Sequence, residues 1–155
     1  MEVFTTDFLH DALIKMAAKM SARPVVHVGA LDSWPETIKH GDCALMIFNT
    51  EYASQSGEHW IAVYVDGKNA FYFDSFPVRP FPQRVLVKLT KLYDKVENVN
   101  CEGFILQNPL SPLCGVYCLA FLLCAGHGQT LKLCADNVLQ NDVHVLDVVL
   151  PYLCV

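Results

Sequence analysis

The order of its elements predicts an α+β domain in which a mixed or antiparallel sheet is flanked by helices. Three observations carry that expectation. Apolar residues recur at helical spacing after Thr6, after Gln83 and after Cys114. Two β-rich runs enclose the turn signal Asp66-Gly67-Lys68-Asn69. The signals follow one another as helix, strands, helix, strand, helices. With 155 residues and 53% hydrophobic composition, residues 1–155 are expected to form one domain with a real core.

The first helix is expected to start with Thr6 as N-cap. Phe8, Leu9, Ala12, Leu13, Met16, Ala17 and Met20 then form an apolar stripe that ends near Ser21, ahead of Arg23-Pro24. Pro24 to Asp42 reads as loop, with a short strand at Val25-Val26-His27-Val28 and Trp34-Pro35 plugging the loop onto the core. Cys43-Ala44-Leu45-Met46-Ile47-Phe48 is a continuous apolar run between turn residues, which predicts a strand buried on both faces. His59 to Val65 and Ala70 to Phe76 predict a hairpin. A second helix is expected from Gln83 to about Val96, burying Val85, Leu86, Leu89, Leu92, Tyr93 and Val96. Gly103 to Leu106 reads as a short strand. Gly126-His127-Gly128 reads as a helix end and turn, and 130–139 and 142–152 as two closing helices.

Net charge is −5, which speaks against a nucleic-acid-coating surface; Lys88, Lys91 and Lys95 fit a solvated helix face. Met1-Glu2-Val3-Phe4 carries no basic segment before an apolar block, and apolar runs stop short of the roughly 18 residues a membrane span needs. An intracellular protein without a membrane partner is therefore expected. Seven cysteines, an odd number lying mostly in apolar runs, predict reduced thiols rather than a disulfide framework.

The chemistry-bearing stretch runs from Gln107 to Leu123. A Pro-broken polar loop becomes a helix that is apolar nearly all round, and Cys114 sits where the two meet. The first-turn N–H groups and the positive dipole end there favour an anion, and cysteines so placed can have a pKa lowered from about 8.5 to roughly 3.5–7.5. Cys114 is thus either a nucleophile or a buried structural thiol. The hairpin brings the start of one strand, His59, beside the end of the next, Asp74. A carboxylate so placed fixes an imidazole's tautomer and stabilises its charged form. Gln107 would add an amide donor to an oxyanion hole beside the backbone N–H of Cys114. Taken singly, each has a plainer role: His59 packed beside Trp60, Asp74 as a turn residue, Gln107 as loop polarity.

Jointly, Gly57-Glu58-His59-Trp60-Ile61-Ala62, Phe71-Tyr72-Phe73-Asp74-Ser75-Phe76, Gln107 and Ser111-Pro112-Leu113-Cys114-Gly115-Val116-Tyr117-Cys118 resemble the adenovirus-type cysteine proteases. They are more distantly similar to the Ulp1/SENP ubiquitin-like-specific proteases of the same clan. The resemblance spans about residues 40–125. It implies a papain-like cysteine protease core of the adenain/Ulp1 type, with Cys114 as nucleophile, His59 as general base, Asp74 as orienter and Gln107 for the oxyanion. It implies cleavage of viral precursor proteins after small residues at Gly-Gly-X or Gly-X-Gly sites, in a host nucleus or cytoplasm and in the virion. The source would be a small virus or a virus-derived mobile element. The acid is Asp74 where the adenoviral enzyme has Glu, and the chain is compact for the family. The adenoviral enzyme takes an activating peptide and DNA. Cys101 lies roughly where the peptide-accepting cysteine would be, and the acidic balance gives nucleic acid activation little support.

Two other functions fit the same residues. In a deubiquitinase or deSUMOylase the conjugate would present its Gly-Gly tail to the same residues, with Trp60 as a substrate-binding wall. A metal-stapled interaction module would use Cys114, Cys118, Cys124, His127 and Cys134, but these lack paired two-residue gaps, and Cys118 reads as core. No metal and no cofactor are expected.

Overall fold

The computed structural model describes residues 5–50, 59–77, 81–100, 113–128, 139 and 141–153. Helix α1 (Thr6–Ala18) is capped by Thr5, whose hydroxyl accepts from the Phe8 N–H at 3.2 Å. Thr6, the expected cap, is already the first helical residue. The helix ends three residues before Ser21, where Met20 N–H and Arg23 N–H bond back as turns to Ala17 and Met20.

Five strands form one mixed sheet in the order β1-β2-β3-β4-β5. They are β1 (Val25–Ala30), β2 (Cys43–Asn49), β3 (Trp60–Asp66), β4 (Asn69–Phe73) and β5 (Lys95–Asn98). β1 runs parallel to β2 and β5 parallel to β4, while the central β3 is antiparallel to both β2 and β4. The predicted hairpin is present. Gly67 takes φ +102° in its turn, which a side chain resists, and the Asp66 carboxylate accepts the Asn69 N–H at 3.0 Å. β2 is buried on both faces because alternate residues enter two cores. Leu45 and Ile47 face α1 and α3 (Cys114–Gly126), whereas Ala44, Met46 and Phe48 face α2 (Gln83–Leu92). Trp34 stacks on Phe48 at 5.9 Å and plugs the β1–β2 connection onto the second core.

The second helix departs from expectation. It stops at Leu92, Tyr93 turns extended, and Lys95–Asn98 pairs with β4. Val85, Leu89 and Tyr93 are buried, while Leu86, Leu92 and Val96 are half-buried. Val96 fits the helical spacing, yet a strand at that edge gains ladder hydrogen bonds from β4, and this tertiary gain outweighs local periodicity. α4 (Asp142–Val149) is capped by Asn141 and tightens into a 3-10 turn, Leu150–Tyr152, where Pro151 lacks the N–H a further α turn needs. The expected strand at Gly103–Leu106 and helix over 130–139 fall outside the described residues, apart from Leu139. Among the described residues, no helix is long and apolar enough to cross a membrane.

Candidate active site

α3 is the central helix, and the residues from Cys114 to Leu122 are all buried. It starts at Cys114 itself, with Leu113 as N-cap, so the sulfur sits on the first turn as expected. The helix tip packs closely on α1, where residue 115 is glycine. A Cβ there would lie 3.1 Å from Leu9 Cδ2 and 3.5 Å from Trp60 Cδ1. Trp60 is only 4% exposed, so it lies under the helix tip rather than standing free as a wall.

His59 immediately precedes β3. Its carbonyl accepts the Thr50 N–H at 2.9 Å, which ties it to the end of β2. Asp74 immediately follows β4. The last ladder pair is Ala62 with Phe73, so continuing the register puts Phe76 opposite His59, with Asp74 its diagonal neighbour on the same face. Nε2 of His59 lies 2.7 Å from Oδ1 of Asp74, a short charge-assisted bond. The same oxygen accepts the Phe76 N–H at 2.9 Å.

Cys114 is near enough to His59 to raise its proton affinity, by hydrogen bonding and by charge. With Nε2 engaged by Asp74, Nδ1 is the nitrogen left to face the sulfur. Burial by itself depresses the proton affinity of this ring. The hydrogen bonds to Asp74 and Cys114 and the charges on both oppose burial, and the outcome is a pKa pushed from 6.5 up to about 9. The imidazolium is thus the dominant form at neutral pH. One turn below, Cys118 is fully buried; burial first, then Cys114 and Asp74, push its thiol well up, as befits a core residue.

The hairpin thus brings His59 to Asp74 as its register predicts, and the packing of α3 brings the Cys114 end of the helix to the same place. Gln107 and Cys101 fall outside the described residues, as do Gly57, Glu58, Ser111 and Pro112 of the motif. Cys114 and Cys118 carry free thiols, but Cys124 is disulfide-bonded, which corrects the expectation of reduced thiols throughout. The bond from the Phe76 N–H is the turn role the sequence allows Asp74, since a carboxylate that accepts the N–H two residues on makes an Asx turn. What sequence reasoning missed is the hold from Asn100, although Asn98-Val99-Asn100 carries the same turn signature.

In three dimensions the chain is similar to the crystal structure of the Se-Met ASFV pS273R protease, with a TM-score of 0.59 and 17% sequence identity. The match covers 73% of this chain and 44% of that one, so this chain spans less than half of the ASFV protein's length. The α+β architecture is thus one that a known protease shares. No protein-family model matches the sequence, and no curated protein matches it.

Proposed function

We propose that this chain is a cysteine endopeptidase that cuts precursor polyproteins after small residues, at Gly-Gly-X or Gly-X-Gly sites. The observation that carries this assignment is the meeting of a helix-tip sulfur, an imidazole and a carboxylate supplied by three separate elements. The fold shared with the ASFV protease supports the same class.

In this mechanism the Cys114 thiolate attacks the scissile carbonyl carbon, and the carbonyl π electrons move onto oxygen. The backbone N–H of Cys114 and the Gln107 side chain stabilise that oxyanion. The His59 imidazolium gives its Nδ1 proton to the departing amine, leaving a thioester on Cys114. His59, now neutral, takes a proton from water; the hydroxide displaces the sulfur and releases the acid, and the thiolate–imidazolium pair is restored. Asp74 stays ionised and keeps the ring in the productive tautomer. No metal or cofactor enters any step.

A cleavage assay against Gly-Gly-X peptides tests the proposal. Wild type should cleave and Cys114→Ala should not. Absence of cleavage by wild type across such peptides would count against it. Rapid labelling of Cys114 by ubiquitin-like probes with a C-terminal electrophile would redirect the substrate to ubiquitin-like conjugates. Near-stoichiometric zinc in the purified protein would favour the metal-stapled module instead.

A further inference from the structure

Asp74 lies beyond the last ladder pair of β4, so the sheet alone does not fix its backbone. A neighbouring segment does. After β5, the Val99 N–H donates to the Tyr72 carbonyl at 2.9 Å and keeps the chain alongside β4. The Asn98 side-chain oxygen then accepts the Asn100 N–H at 3.0 Å, closing a tight turn. That turn aims the Asn100 side chain back across the sheet edge, where its amide nitrogen donates to the Asp74 carbonyl at 3.3 Å. Asn100 and Asp74 are each 9% exposed, so water is poorly placed to substitute.

We propose that Asn100 is a positioning residue for Asp74: by holding the Asp74 carbonyl from the end of β5, it fixes the carboxylate that orients His59. The residue is held from two directions. Its carbonyl is bonded by Asn100, and its carboxylate by the Phe76 N–H and the imidazole. Loss of the first contact lets the peptide plane at Asp74–Ser75 rotate, which carries the carboxylate off the 2.7 Å line to Nε2. An oriented carboxylate acts on the rate of the bond-breaking step rather than on substrate affinity, so kcat is the parameter that responds. The segment next to Cys101 thereby becomes part of the machinery that aligns the histidine.

This inference rests on the catalytic reading of His59 and Asp74, and its test separates the two. Ring-labelled histidine NMR follows the His59 titration in wild type, Asn100→Ala and the near-isosteric, uncharged Asn100→Leu, with His59→Gln to assign the signal. His59 faces Asp74 and Cys114, the two groups whose charges the titration reports. Both Asn100 variants should titrate about one unit lower than wild type, roughly tenfold in the protonation equilibrium. In cleavage assays kcat should fall about tenfold or more with KM little changed, and Asn100→Ser, which keeps a donor, should recover part of it. An unmoved His59 titration in folded variants would overturn the role of Asn100. Unfolding of both variants would overturn it too, since Asn100 would then be a residue of the fold. Should wild type cleave nothing while the titration shifts as stated, the positioning stands and the protease assignment falls.

Discussion

Asp74→Asn removes the negative charge beside His59 and keeps the shape of the side chain. In the wild type the His59 pKa lies at about 9 against 6.5 for a free imidazole, which corresponds to about 3 kcal/mol of preference for the charged ring. A folded-state value raised above the unfolded one stabilises the protein fully below about pH 6.5, and that stabilisation fades as pH rises through about 9. In Asp74→Asn the burial of the ring persists while the largest opposing contact is lost, so its titration should fall toward 6.5. Urea unfolding of wild type and variant, at intervals from about pH 6 to 10, reads the difference. The wild-type advantage should be greatest at the acid end and shrink by up to about 3 kcal/mol by the alkaline end. Cleavage by the variant should drop by about 10⁴, the scale seen when the tautomer is wrong. A stability gap that is flat across this range, or a wild-type His59 titrating near 6.5, would refute the reasoning.

Other substitutions probe the remaining parts. Cys114→Ala should abolish peptide cleavage and leave the circular dichroism spectrum and unfolding transition near wild type. Gln107→Ala should lose on the order of 10²–10³ in kcat; full activity would remove Gln107 from the oxyanion hole. Gly115→Ala places a methyl 3.1 Å from Leu9 Cδ2, so the Leu9 side chain must give by a few tenths of an ångström in a fully buried site; a stability loss of about 1–3 kcal/mol by urea unfolding is expected. Thr5→Ala should cost roughly 0.5–2 kcal/mol in the same unfolding measurement without changing kcat, whereas the same change at Thr6 should cost less.

The local signals in the chain determined a good deal by themselves. The Asp66-Gly67 turn, the double-sided apolar run of β2 and the all-round apolar character of α3 are each readable within a dozen residues, because periodicity and turn chemistry are short-range. The hairpin also placed His59 beside Asp74, since strand register follows from the turn. What only the tertiary structure decided is long-range. Val96 left a helical pattern for the free edge of β4. The Cys114 tip is seated by the packing of Gly115 on Leu9 of α1, and one hold on Asp74 comes from Asn100, 26 residues away. Such contacts join segments whose separation in sequence carries no period, so packing alone selects them.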